Sequence, residues 1–113
     1  PYIIQKAAAA VYSQEGKEQI QAATAYYLEN ASLLRSALAS FGYTVYGGQN
    51  APYVWFDTAM DSWDFFDLLL KTAGVAGTPG VGFGQCGAGF FRLTAFNSRE
   101  KTEEAIARMA KLV

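Results

Sequence analysis

Histidine is absent from the sequence, and this absence removes more chemistry than any other feature of its composition. Without an imidazole the chain cannot build a Ser-His or Cys-His nucleophile pair, a histidine-ligated zinc site or a histidine acid-base catalyst. A single cysteine, Cys86, excludes an internal disulfide framework and fits a reducing compartment. We therefore expect no metal site, and a location in the cytoplasm or in a plastid stroma.

The sequence has no marked excess of positive or negative residues and no long apolar run. Nine Lys and Arg residues stand against ten Asp and Glu residues, which gives a net charge of −1 without a basic block. Nucleic acid is therefore not an expected partner, since its binding requires a concentrated positive surface. No apolar run approaches the roughly 20 residues that cross a bilayer. We expect no membrane partner and one soluble domain, and because the chain opens in mid-pattern at Pro1, we expect it to be a fragment of a longer protein.

Hydrophobic periodicity predicts two helices in the first part of the chain. Residues 1–12 are rich in alanine and apolar on nearly all sides, which predicts a helix buried against something larger. After a break at SQEG, residues 17–41 carry an apolar side chain every three or four positions. This pattern predicts a long amphipathic helix that either braces one domain against another or forms the main core helix.

Shorter elements are predicted in the remainder of the chain. Four apolar runs are typical of strands: Thr44–Tyr46, Tyr53–Asp57, Val75–Gly77 and Phe90–Phe96. A helix is expected from Asp61 or Ser62 to Gly74, and a last one after Asn97, where Glu100 completes a capping-box pattern. The residues Trp55, Trp63, Phe65 and Phe66 are expected in the core. The order predicts an α+β fold with a small, largely antiparallel sheet covered by helices.

Residues 77–96 form a glycine-rich stretch that ends in an apolar strand containing Arg92. Gly82, Gly84 and Gly87 match the G-x-G-x-x-G pattern of dinucleotide-binding loops, but a strand rather than a helix follows them. A Walker A loop is also excluded, because no Lys-Ser/Thr pair follows the glycines. Two interpretations remain: a long, tight connection between strands, or a loop that leaves space for a ligand beside Arg92.

Arg92 favours the second interpretation. Alternation along the strand places Phe91 and Leu93 on one face and Phe90, Arg92 and Thr94 on the other, among aromatic and small groups. An unpaired guanidinium in a dry site is costly, so either a structural carboxylate or an anionic ligand must meet it. A carboxylate matches the planar guanidinium in a bidentate manner.

The sequence resembles the C-terminal part of the class I/II aminotransferases, which are fold-type I enzymes that depend on pyridoxal phosphate. The stretches that carry the resemblance are NAPYVWF, SWDFFDLLL, GTPGVGFGQCGAGFFRLTAF and NSREKTEEAIARM, in this order. PYIIQKAAAAVYSQEG and AYYLENASLLRSAL resemble the family's segment just downstream of its cofactor region. The resemblance covers essentially the whole chain and is strongest to the family's LL-diaminopimelate branch.

The resemblance implies a small C-terminal domain in residues 17–113, after the end of a large-domain segment or a lead-in helix in residues 1–16. It implies that Arg92 binds the substrate carboxylate, and it makes Asn50, at a turn before a strand, a weaker candidate for lining the substrate. The family's Schiff-base lysine and phosphate-binding residues lie upstream of the matched segment. No catalytic or cofactor-binding residue is therefore expected in this chain, which alone is expected to be inactive.

The resemblance also implies the partners of the full-length enzyme. These are pyridoxal phosphate as cofactor, an amino acid and a 2-oxo acid as substrates, the rest of the aminotransferase chain, and a second copy in a homodimer. In the LL-diaminopimelate branch, LL-diaminopimelate is exchanged with tetrahydrodipicolinate, using glutamate and 2-oxoglutarate, in lysine biosynthesis. The alternative from the residues alone is a free-standing, cofactor-free α+β domain that binds a small carboxylate or a protein partner.

Overall fold

A computed structural model describes residues 1–112 of the protein. Its helices are α1 (Tyr2–Ala10), α2 (Gln14–Ser40), α3 (Ser62–Ala73) and α4 (Arg99–Met109). Its strands are β1 (Val45–Gly47), β2 (Tyr53–Asp57), β3 (Thr78–Pro79) and β4 (Phe90–Thr94). Single 3-10 turns lie at Gly80–Phe83, Gln85–Gly87 and Ala110–Leu112. The predicted α+β order of helices and strands is confirmed.

The four strands form one antiparallel sheet in the order β1-β2-β4-β3. In the central pair, Val54 lies opposite Leu93 and Phe56 lies opposite Phe91. All four side chains are buried, because α2, α3 and α4 cover this face of the sheet. The other face, which we call the open face, has no helix over it in the described part of the chain.

The core lies between the sheet and the three covering helices. The helices contribute Ala31, Leu34, Leu38, Phe65, Leu69, Ala73 and Met109. Phe65 packs edge-on against Phe91 with 5.0 Å between ring centres, and burial of each large apolar side chain stabilises the fold by about 1.5–3 kcal/mol. The expectation of a core position is confirmed for Phe65, whereas Phe66 is half-buried. It is wrong for Trp63, which is 58% exposed on α3.

α2 begins at Gln14 rather than at the predicted residue 17, and it ends at Ser40, one residue before the predicted 41. Ser13 is its N-cap, and the Ser13 hydroxyl accepts a hydrogen bond from the Gly16 amide at 3.0 Å. A Cβ atom at Gly16 would lie only 2.3 Å from the Ala10 carbonyl oxygen. Gly16 therefore allows the end of α1 to cross the first turn of α2 closely. The predicted break between the helices is present, but it lies at residues 11–13, so that only Ser13 of SQEG belongs to it.

α1 and the first half of α2 extend away from the sheet. Within residues 1–112, no side chain of α1 is buried, and the buried residues of α2 begin at Asn30. Ile20, which belongs to the predicted apolar stripe of α2, is 44% exposed. We call residues 1–25 the arm, because Tyr26 already contacts α4, where its hydroxyl accepts a hydrogen bond from the Arg99 amide at 2.6 Å. No helix in residues 1–112, the arm included, is both long enough and apolar enough to cross a bilayer.

Three strands differ from the prediction in their boundaries. β1 is Val45–Gly47, shifted by one residue from the predicted Thr44–Tyr46, and the third strand is Thr78–Pro79 rather than Val75–Gly77, because Thr78 is the residue that pairs with Arg92. β4 ends at Thr94 rather than Phe96. The chain turns there, since the Asn97 amide donates back to the Ala95 carbonyl at 2.8 Å.

The cap of α4 is Ser98 rather than the predicted Asn97. The Ser98 hydroxyl accepts a hydrogen bond from the Lys101 amide at 3.2 Å, which is the N-cap geometry. The Asn97 side-chain oxygen instead accepts from the Ser98 amide. The capping-box interpretation was therefore displaced by one residue, although the helix itself lies where it was predicted.

Candidate functional site

Arg92 lies in the middle of the open face of the sheet. β4 runs between β2 and β3, and the register places Arg92 beside Trp55 on one side and Thr78 on the other. Its strand neighbours Phe91 and Leu93 are buried on the helix-covered face, because side chains alternate along a strand. The predicted alternation of this strand is thus confirmed.

Aromatic rings contact the Arg92 guanidinium. Its Cζ atom lies 4.5 Å from the centre of the Phe83 ring and 4.8 Å from the centre of the Tyr53 ring. Trp55 packs edge-on against Phe83, with 5.7 Å between ring centres, and stacks on Phe90 at 5.6 Å. Cation–π contacts stabilise by about 0.5–1 kcal/mol at exposed sites and by more where water is excluded. The rings therefore restrict a guanidinium that would otherwise move freely.

No protein carboxylate neutralises Arg92 within residues 1–112. The four ion pairs of this part of the chain all join other residues, as when Arg99 contacts Glu29 at 2.7 Å. The Arg92 side chain is half-buried and donates no hydrogen bond to an acceptor in the described chain. Of the two expected anions, a structural carboxylate is therefore not found here. The in-plane N–H donors suit an external carboxylate, which binds them in a bidentate manner.

The glycine-rich loop brings Phe83 to Arg92 because it closes tightly on itself. Gly80 and Gly87 lie in contact at the base of the loop. A Cβ atom added at Gly87 would lie 2.1 Å from the Gly80 carbonyl oxygen, and one added at Gly80 would lie 2.4 Å from the Gly87 carbonyl oxygen. Only glycine permits this approach at both positions. The residues between them consequently form a compact projection with Phe83 on it.

Two buried hydroxyl groups fasten the end of this loop to the start of β4. The Ser62 hydroxyl, at the first position of α3, donates to the Phe90 carbonyl at 2.8 Å and accepts from the Gly89 amide at 3.1 Å. The Thr58 hydroxyl donates to the Gly89 carbonyl at 2.7 Å. The start of the strand that carries Arg92 is therefore fixed by α3 and by the end of β2.

Asn50 lies apart from these contacts. It is exposed in the connection between β1 and β2, and its side chain forms no hydrogen bond to any of residues 1–112. β2 begins at Tyr53, which pairs with Thr94, so Asn50 lies beyond that end of the strand. Its role in lining the substrate stays a prediction.

Sequence analysis did not single out Phe83 and Tyr53. Alternation could have found Tyr53, which lies two residues before Trp55 on the strand paired with Arg92. Trp55 itself is half-buried on the open face, and its expected place in the core was wrong. Phe83 gives no periodic signal, because its position depends on the path of the glycine-rich loop.

The described residues do not fit pyridoxal phosphate. All five lysines are exposed, and Lys71 and Lys101 are engaged in surface ion pairs with neighbouring carboxylates. None of them lies on the open face with Arg92. Residues 1–112 also contain no group of three His, Cys, Asp or Glu side chains arranged to hold a metal ion. Cys86 is exposed in the glycine-rich loop and has no activating histidine.

A concavity of about 340 Å³ lies elsewhere in the fold, between α4, α2 and the residues after α3. Its walls include Leu34, Leu93 and Met109 together with charged groups of α4. The cations Lys101 and Arg108 are already paired there with Glu104. Because Glu104 already neutralises these two cations, the concavity is a poorer anion site than the open face, where Arg92 has no carboxylate partner among residues 1–112.

The whole chain is similar in sequence to known aminotransferases. The family model for aminotransferase class I and II matches residues 1–109. The chain belongs to this aminotransferase family. The chain is 57% identical over 112 residues to LL-diaminopimelate aminotransferase of Lawsonia intracellularis, covering 97% of this chain and 27% of the relative. It is 55% identical over 113 residues to the enzyme of the same name from Prochlorococcus marinus (strain MIT 9211), covering 98% and 28%.

Solved structures confirm the fold of this aminotransferase chain. L,L-diaminopimelate aminotransferase from Chlamydomonas reinhardtii matches with a TM-score of 0.89 and 38% identity, over 91% of this chain and 26% of that one. The chain thus spans about a quarter of the length of the relatives it matches. These comparisons do not favour a free-standing binding domain.

Proposed function

We propose that the whole protein is a pyridoxal-phosphate-dependent aminotransferase that acts on LL-diaminopimelate, and that this chain supplies the arginine for the substrate carboxylate. The observation that carries the proposal is the Arg92 guanidinium, which is half-buried, in contact with two aromatic rings and without a carboxylate partner in residues 1–112. The names of relatives at 57% and 55% identity support the substrate.

Arg92 acts by binding and orienting. A bidentate pair with the α-carboxylate fixes both carboxylate oxygens, and with them the direction in which the α-carbon faces the remainder of the enzyme. The neighbouring rings of Phe83 and Tyr53 reduce the water around the ion pair and so strengthen its attraction. In this proposal Arg92 binds and orients the substrate and takes no part in proton transfer.

The cofactor belongs to the remainder of the proposed enzyme. Bound pyridoxal phosphate supplies the electron sink for chemistry at the α-carbon. Residues 17–113 form the small C-terminal domain in this proposal, and residues 1–16 are the end of a large-domain segment or a lead-in helix. Because none of its lysines fits the cofactor, we expect the 113-residue chain alone to have no transaminase activity.

The remaining assignments follow the family. The substrates are an amino acid and a 2-oxo acid, the pathway is lysine biosynthesis, and the full-length chain forms a homodimer. The exposed apolar arm supports a contact with the remainder of the chain. The single cysteine supports the cytoplasm or a plastid stroma as the location.

Replacing Arg92 in the whole enzyme tests the proposal. Arg92→Ala removes a charged, hydrogen-bonded contact worth roughly 1.5 to 3 kcal/mol. We therefore expect kcat/KM for LL-diaminopimelate to fall about ten-fold to more than a hundred-fold. Visible absorption should show an unchanged cofactor content, because Arg92 is not a cofactor ligand in this proposal.

The matched control is Arg108→Ala. This arginine lies on the exposed side of α4 and pairs with Glu104, so its removal should leave kcat/KM unchanged. Wild-type catalytic efficiency in the Arg92→Ala enzyme would overturn the proposed role of Arg92. Failure of LL-diaminopimelate to perturb the cofactor absorption of the wild-type enzyme would overturn the proposed substrate.

A further inference from the structure

The contacts of Arg92 come from two separate parts of the fold. Tyr53 is the first residue of β2, whereas Phe83 ends the first 3-10 turn of the glycine-rich loop. Their ring centres lie 4.8 Å and 4.5 Å from the Arg92 Cζ atom. Phe83 is 54% exposed, and the contact with the Arg92 guanidinium lies on the part of its ring that is covered.

Aromatic contacts restrain a guanidinium differently from a carboxylate. A carboxylate partner would occupy the in-plane N–H donors and compete with a substrate for them. A ring attracts the cation through its π face and makes no demand on those donors. Arg92 is restrained by aromatic rings, and no carboxylate among residues 1–112 pairs with its N–H donors. It is therefore restrained and still able to bind a carboxylate.

We propose that Phe83 and Tyr53 are positioning residues that hold the Arg92 guanidinium ready for the substrate carboxylate. The inference rests on the proposed function, because it concerns the same arginine. Phe83 acts through Arg92 and does not touch the reacting atoms. The glycine-rich loop, closed by Gly80 against Gly87, thereby delivers an aromatic ring to the binding arginine.

The test uses the whole enzyme with Phe83→Leu, which keeps an apolar side chain and removes the ring. Loss of one cation–π contact should raise KM for LL-diaminopimelate by about two- to five-fold, with kcat near the wild-type value. Phe83→Tyr restores a ring and should return KM to the wild-type value. Trp63→Leu is the matched control, because Trp63 is similarly exposed at 58% and contacts Phe66 rather than Arg92.

A double-mutant cycle separates positioning from a general structural effect. If Phe83 acts through Arg92, Phe83→Leu should lower kcat/KM in the wild-type background and have no further effect in the Arg92→Ala background. An equal loss in both backgrounds would overturn the positioning role and leave the role of Arg92 intact. An unchanged KM in the Phe83→Leu enzyme would overturn it as well. If Arg92→Ala alone has no effect, the proposed function itself fails.

Discussion

At the scale of single residues, Arg92 and Phe83 differ in how far the sequence could predict them. The direction of Arg92 follows from strand alternation, and alternation depends only on local backbone geometry. The position of Phe83 depends on a contact between Gly80 and Gly87, seven residues apart, that leaves no periodic mark in the sequence. The placement of Arg92 on the open face could therefore be predicted, whereas its contact with Phe83 could not.

The loop closure makes a direct prediction about Gly87. Gly87→Ala would place a Cβ atom 2.1 Å from the Gly80 carbonyl oxygen, and both are backbone positions that cannot move aside cheaply. We expect the free energy of unfolding of the 113-residue chain to fall by about 1–3 kcal/mol, the usual cost of overpacking. Urea denaturation measures this change.

Gly82→Ala is the control for that substitution. A Cβ atom at Gly82 would meet no heavy atom within 4 Å, so the same change of one methyl group should leave stability nearly unaltered. Equal urea midpoints for the two variants would contradict the close contact at the base of the loop.

At the scale of secondary-structure elements, the sequence predicted helices well and their ends less well. α4 was predicted from its apolar spacing, but two adjacent residues, Asn97 and Ser98, are both good caps, and only the turn after β4 decides between them. The start of α2 was missed for a related reason. A glycine such as Gly16 usually indicates the end of a helix. Here it lies inside α2, because the end of α1 crosses the helix at this point, and the sequence pattern does not show that tertiary contact.

Charge pairing on α4 leads to a prediction about pH. The Lys101 ammonium donates to the Glu104 carboxylate at 2.8 Å, and together with the nearby Arg108 it lowers the pKa of Glu104 below its ordinary value of 4.5. A lowered pKa in the folded state contributes stability above the ordinary pKa, and this contribution is lost as the pH falls through the lower, folded value. Because the group is exposed, we expect the effect on stability to be small.

Measuring the pKa of Glu104 tests the pairing more directly than measuring the pH dependence of stability. Lys101→Ala should raise it toward the ordinary value, and an NMR titration of the side-chain carboxyl carbon follows the change. Lys71→Ala removes a comparable lysine that pairs with Asp67 on α3, and it should leave the Glu104 titration where it was. A Glu104 pKa that is identical in the wild-type chain and in the Lys101→Ala variant would contradict the pairing.

At the scale of the whole molecule, the shape divides the chain into a packed part and the arm. The Cα atoms extend over 47 × 29 × 23 Å, although the buried apolar core residues of the described chain all lie in the sheet and its covering helices, except Ala95, which directly follows β4. The arm carries exposed Tyr2, Ile3 and Tyr12 instead. The sequence predicted a helix in residues 1–12 that is buried against something larger; the helix is present as α1, but nothing within residues 1–112 buries it.

Hydrogen exchange can show whether the remainder of the proposed enzyme covers the arm. A nine-residue helix without buried side chains is marginal in water, so the amides of α1 should exchange rapidly in the 113-residue chain. In the whole enzyme we expect them to be protected, because their apolar side chains then have a surface to pack against. The amides of α3, which is packed in both cases, serve as the internal control. Equally rapid exchange of α1 in both proteins would contradict the docking of the arm, and the exposed apolar residues would then remain a free surface in the whole enzyme.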